Sequence, residues 1–107
     1  MTLLLALTTV ATQAQAQALA QSLVQQRLAA CVQLQGIESV YRWDGAVQQA
    51  LEWRLLIKTT RDAWPALEAA VLAEHPYDTP ALLAWPADRV HPAFAAWVQA
   101  EVDPAAS

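Results

Sequence analysis

A chain of 107 residues has room for one domain and one core, because two domains of half that length would each bury too little surface to be stable. Its formal charge is −4 and its six basic residues are scattered, which argues against a nucleic-acid interface and against an anionic membrane surface. Hydrophobic residues make up 56% of the chain and five residues are Trp, so part of the apolar surface is expected between subunits rather than inside one.

Residues 2–9 hold a nearly continuous apolar run closed by two threonines, the pattern of a strand inside a sheet. The same run followed by Ala14-Gln15-Ala16 imitates a signal peptide with its cleavage site. No basic residue precedes Arg27, however, and the Ala/Gln stretch continues in helical register, so the strand is preferred. A helix is expected over residues 13–30. Gln13, Gln17, Gln21 and Gln25 make its polar stripe, and Leu19, Leu23, Val24 and Leu28 its apolar one.

From Cys31 to Thr60 the apolar period changes to two, with Asp44-Gly45 between two long alternating runs. That dipeptide predicts a two-residue hairpin turn pairing Trp43 with Ala46. One face then carries Val32, Leu34 and Val40, the other Cys31, Ile37, Ser39, Tyr41 and Trp43. A second helix is expected over 62–74, with Asp62 as N-cap and Leu67 and Val71 buried. A short strand over 81–85 stops at Pro86. A last helix over 92–102 presents Phe94, Trp97 and Val98 on one side, and the tail from Pro104 is expected to fray. No apolar run approaches the ~20 residues of a membrane span.

The order β-α-β-β-α-β, with a further C-terminal helix, is the split βαβ arrangement. Both main helices cover one sheet face there and leave the other bare. Ile37, Tyr41, Trp43 and Leu56 would lie on that bare face, which predicts association with other copies.

The stretch Ser39-Val40-Tyr41-Arg42-Trp43-Asp44-Gly45-Ala46-Val47 resembles the S-x-Y-x-W-x-G-x-[IV] segment of the CutA family of divalent-cation-tolerance proteins. Leu28-Ala29-Ala30-Cys31-Val32, Glu52 with Lys58-Thr59, and His75-Pro76-Tyr77-Asp78-Thr79-Pro80 follow in family order and spacing, and the likeness covers about residues 3–100. The resemblance implies an α+β, ferredoxin-like βαββαβ sandwich with an additional C-terminal helix and a long hairpin between its second and third strands. It also implies a homotrimer with sheets packed about a threefold axis, a cytoplasmic location, and a link to tolerance of divalent metals, copper especially. The sequence departs from the family pattern at Ala81, where a Glu is usual. Some members carry a cysteine at the end of the first strand and paired histidines before the proline; the matching positions are Thr8 and Glu74-His75. A copper site of that kind would keep one ligand of three.

The candidate functional residues follow from chemistry and parity. His75, with Glu74 beside it, is the candidate ligand for a divalent cation, Cu²⁺ or Zn²⁺; a histidine at a helix C-terminus is equally placed to interact with the dipole. Cys31 reads as a small apolar residue starting a strand, or as a soft-metal or redox thiol. His91 reads as solvated loop. Glu52 and Lys58 share a strand face with Tyr41, and together with Tyr77 they form either a small-ligand pocket at a subunit boundary or an interfacial ion pair. Tyr41 and Trp43 at the hairpin tip are the expected cross-subunit anchors. No nucleophile–His–Asp pattern is present, and two glycines, Gly36 and Gly45, cannot build a phosphate loop, so the chain is not expected to be an enzyme. Three roles remain: a metal-tolerance trimer, a ligand- or signal-binding trimer resembling the PII-type proteins, and a structural scaffold for a partner protein.

Overall fold

The apolar run at the start becomes strand β1 (Leu3–Val10) in the computed structural model, which describes residues 2–106. The segment that imitates a leader is therefore an interior strand of the sheet. Helix α1 (Gln13–Gln25) follows and is closed at its start by a capping box. Thr12 Oγ1 accepts the Gln15 N–H, and the Gln15 side chain accepts the Thr12 N–H. Strands β2 (Cys31–Trp43) and β3 (Ala46–Thr60) form the long hairpin, and α2 (Trp64–Glu74), β4 (Leu82–Pro86) and α3 (Pro92–Glu101) complete the order. Residues Pro104–Ala106, expected to fray, form a short 3₁₀ turn.

The sheet is antiparallel throughout, in the order β2-β3-β1-β4. The α+β, ferredoxin-like architecture is the one the sequence led us to expect. The hairpin register is also as expected, with Trp43 opposite Ala46 and every pair outward in step to Cys31 opposite Lys58. Asp44 and Gly45 both adopt positive φ, 54° and 77°, the geometry of a type I′ turn.

Because side chains alternate across a strand, this register fixes both faces of the sheet. Ala6, Val10, Leu55 and Ile57 point to the face covered by α1 and α2. There they meet Ala16, Leu19, Leu23, Leu67 and Val71 in the main core, with Trp53, Val32 and Leu34 packed at its edge. Leu5, Leu7, Leu56, Leu83 and Trp85 point the other way. That second face is not wholly bare: α3 closes one end of it, where Val98 and Val102 bury Leu3, Ala30 and Ala63.

Several expected boundaries shift, each for a local reason. α1 stops at Gln25 rather than residue 30, because Arg27 takes the left-handed conformation (φ 60°). Its N–H then bonds Val24 O and the Leu28 N–H bonds Leu23 O, a Schellman ending without glycine. Asp62 does not cap α2. The helix begins at Trp64 with Ala63 in the cap position, and the Thr60 hydroxyl accepts the Ala63 N–H. In α3 the buried residue is Val98, joined by Val102 in the cap position just past the helix, whereas Phe94 and Trp97 face outward with their rings 5.7 Å apart. Val24 of the expected apolar stripe on α1 is exposed as well.

Candidate functional site

The sheet is uneven in width, and that unevenness creates the site. Strand β1 ends at the pair Val10–Trp53, but the hairpin continues as a two-stranded arm made of residues 37–43 and 46–52. Seven residues a side carry it about 23 Å beyond the shoulder at ~3.3 Å per residue. The arm contributes to the elongated shape of 44 × 28 × 21 Å. The segment that follows α2 packs into the shoulder, against the end of β1 and the start of the arm.

His75 anchors that segment and is 9% exposed. Its Nε2 lies 2.9 Å from the Thr9 carbonyl oxygen and 3.1 Å from Thr8 Oγ1, while its Nδ1 accepts the Tyr77 N–H at 3.0 Å. The Tyr77 ring stacks at a tilt beside it, centroids 5.0 Å apart, and the Tyr77 hydroxyl donates to Glu52 Oε2 at 3.0 Å. The protonation behaviour follows from this enclosure. Burial pushes the His75 pKa below its ordinary value, outweighing the Thr9 hydrogen bond and the Glu52 charge, which both pull it up. Burial first, and then the hydrogen bond and charge of Glu52, push the Tyr77 phenol up to about 12, with the Tyr41 phenol adding to the effect.

Of the residues singled out from sequence, Glu52 and Tyr77 therefore meet at the base of the arm, with His75 beneath them, whereas Tyr41 lies opposite Gln48, four residues farther along the arm. Trp43 sits farther out, at the tip, 59% exposed. Lys58 does not join them. It lies six residues from Glu52 on the same strand, about 20 Å away at ~3.3 Å per residue, and donates to the Gln33 side chain instead. Cys31 is a half-buried free thiol opposite Lys58, and His91 is exposed in the cap position of α3. The resemblance had already set Thr8 and His75 at the places of one family site, whereas nothing in the sequence pointed to the Thr9 carbonyl, a backbone contact across 66 residues of chain.

A divalent cation does not fit this donor set. Both His75 nitrogens already have protein partners, and Glu74 Oε2 takes the Gln26 side-chain amide at 3.4 Å. Among the described residues no three His, Cys, Asp or Glu side chains come together as a metal-binding group. Such a site needs several converging ligands.

The second sheet face offers the other feature of note. Leu7, Leu56 and Trp85 line a shallow hollow of about 490 Å³, with Gln33, Gln35 and Arg54 on one flank. Arg54 Nη2 donates across the pair to the Gln35 side-chain oxygen Oε1, so the flank is tied to the sheet rather than extended into solvent.

A four-stranded antiparallel sheet backed by two helices, with a hairpin arm and a third helix across the far face, defines a ferredoxin-like α+β protein of the kind that exposes a sheet face. The chain belongs to the CutA1 divalent ion tolerance protein family, whose model matches residues 4–101. The divalent-cation tolerance protein CutA of Thermus thermophilus is 40% identical over 94 residues, 87% of this chain and 91% of its own length. The solved structure of CutA from Synechococcus elongatus superposes with a TM-score of 0.93 at 37% identity, over 95% of this chain and 91% of that one. The structure of the periplasmic divalent cation tolerance protein CutA from Archaeoglobus fulgidus gives a TM-score of 0.92 at 29% identity, over 94% of this chain and 99% of that one.

Proposed function

We propose that this chain serves divalent-cation tolerance as a homotrimer, in the cytoplasm, and that it does so as a binding and assembly protein with no chemical step of its own. The observation that carries the reading is the uncovered apolar surface. Leu83 is 51% and Trp85 39% exposed on the second sheet face. The arm exposes Val40, Val47 and Leu51 on one side and Tyr41 and Trp43 on the other, between 44% and 77%. An isolated chain gains nothing from that arrangement, whereas a neighbouring copy that takes the arm covers both its sides. The number three rests on the resemblance to CutA proteins.

Copper or zinc enters this proposal as the stress the protein answers rather than as a resident ion, since the donors of one chain are already paired. A PII-like ligand pocket at a subunit boundary would draw the Glu52 carboxylate and the Lys58 ammonium from different chains, since they stand six residues apart on one strand, so that reading presupposes the assembly proposed here. The Archaeoglobus fulgidus relative is named periplasmic. For this chain the cytoplasm is supported by its single cysteine, which fits a reducing compartment. Sedimentation equilibrium at micromolar concentration tests the proposal. Three chains of 11.7 kDa predict a species of about 35 kDa, and a folded, soluble species of one chain's mass would overturn it.

A further inference from the structure

The segment carrying Tyr77 is held by a ring whose two nitrogens have opposite requirements. Nε2 faces the Thr9 carbonyl oxygen at 2.9 Å, and a carbonyl oxygen can only accept, so Nε2 carries the hydrogen. Nδ1 receives the Tyr77 N–H at 3.0 Å, so Nδ1 must be bare. One state of the imidazole meets both demands, the neutral Nε2–H tautomer. An added proton can go only to Nδ1, where it would stand against the Tyr77 N–H, hydrogen to hydrogen.

We propose that His75 is a proton-operated latch: protonation at Nδ1 breaks the Tyr77 N–H bond, opens the turn at residues 75–77 and loosens the hold of Tyr77 on Glu52 at the base of the arm. The latch does not depend on the proposed role in cation tolerance. It needs the turn and nothing outside the chain.

The groups around the ring set the direction of the switch. Strand β1 presents the Thr8 hydroxyl and the Thr9 carbonyl, neither charged. Strand β3 presents the Glu52 carboxylate, whose charge favours the imidazolium, and the segment itself presents the Tyr77 phenol, neutral up to about 12. At the end of α2, Glu74 is turned to the Gln26 side chain. Burial outweighs these influences, so the folded chain takes the proton below the ordinary value of 6.5. The unfolded chain then binds the proton first. Stability from this ring is complete above about 6.5 and is lost as pH falls through the lower, folded value. The latch is closed at neutral pH and opens on acidification.

Amide hydrogen exchange followed by NMR on the whole chain, in whatever assembly it forms, tests this. Ring ¹⁵N shifts at neutral pH are expected to report the Nε2–H tautomer. Protection of the Tyr77 amide, corrected for the intrinsic rate, should be constant above about pH 6.5. It should then fall, by up to about tenfold per pH unit, between about 6.5 and the lower pKa of the folded ring, and level off below it, tracking the His75 ring shifts. The Leu55 and Ile57 amides in the core should keep their protection. In His75→Asn the side-chain oxygen stands where Nδ1 stood and still accepts the Tyr77 N–H but cannot take up a proton, so the acid step should vanish. In Glu52→Gln the step should remain and move to lower pH, because a charge that favours the imidazolium is gone. The latch is overturned by an Nδ1–H tautomer at neutral pH, by Tyr77 protection that stays flat while the ring titrates, by core amides that open together with Tyr77, or by an acid step that survives in His75→Asn. Should His75→Asn fail to fold, the wild-type curves and the Glu52→Gln shift decide the matter.

Discussion

Arg27 shows how one side chain can hold two elements together at a cost to its own backbone. It sits just past the end of α1 with φ at 60°, where glycine is usual because a Cβ is strained by about 1 kcal/mol. Its guanidinium explains the exception. Nη2 donates to Ala100 O at 2.7 Å and Nε to Glu101 O at 3.0 Å, the last carbonyls of α3, which have no partner within their own helix. Arg27 O in turn accepts the Asp103 N–H at 2.9 Å. The residue therefore ends one helix, caps another, and holds α3 over Leu3 and Ala30. Two substitutions separate these duties. Arg27→Ala keeps the strain and removes the bonds, and should cost about 1–2 kcal/mol in chemical denaturation. Arg27→Gly removes both and should regain about 1 kcal/mol of that loss. An Arg27→Gly chain less stable than Arg27→Ala would show that the backbone there is not strained.

The long hairpin is the element most legible in the sequence and the one that makes the molecule unusual. Strict alternation over residues 31–60 sets the side of every residue, and Asp44-Gly45 sets the register, so the pairing could be read to the residue. A β-carbon at Gly45 meets no atom within 4 Å, so Gly45→Ala tests backbone strain alone. It should cost about 1 kcal/mol, seen as faster amide exchange at Tyr41 and Gln48 with little change at Leu55 and Ile57. Equal acceleration in the core would mean that the turn holds the whole sheet rather than the arm. The helices were legible in kind, and so were the start of α1, the end of α2 and the start of α3, but not the end of α1 or the start of α2. The stop of α1 is written in an arginine held left-handed, and the start of α2 in the hydroxyl of Thr60, whereas Asp62 carried the familiar signal and does not act on it. The outward stripe of α3 was misjudged because Trp97 and Val98 are neighbours in sequence and only packing decides which turns inward. The candidate site was half legible. Parity placed Tyr41, Glu52 and Lys58 on one face, but parity says nothing of distance along a strand. The meeting of His75 with Thr8 and Thr9 depends on where β1 stops, which no local pattern records.

For the molecule as a whole, the decisive feature is that adjacent residues of β3 answer to different levels of structure. Leu55 is fully buried among α1 and α2, and Leu56 points to the opposite face beside Leu7 and Trp85. The first belongs to the fold of one chain and the second, on the proposed assembly, to the contact between chains. Leu55→Ala leaves a cavity in a closed core and should lower stability by about 2–5 kcal/mol. Leu56→Glu leaves that core intact but sets a charge in the middle of a face that a neighbouring copy would cover. Burying a carboxylate there, even one within reach of Arg54 and Lys58 on the same strand face, costs several kcal/mol of desolvation, comparable to what the cover of a few half-exposed Leu and Trp side chains contributes at ~25 cal/mol per Å². Assembly, not folding, should therefore fail. Leu56→Glu is expected to keep the circular dichroism of the parent chain while its mass by light scattering falls toward one chain on dilution to micromolar concentration, and Leu55→Ala should lose unfolding free energy with its strand pairing otherwise unchanged. If Leu56→Glu instead held the parent's mass at every dilution, the second face would be a solvent face, and the exposed arm alone would have to account for association.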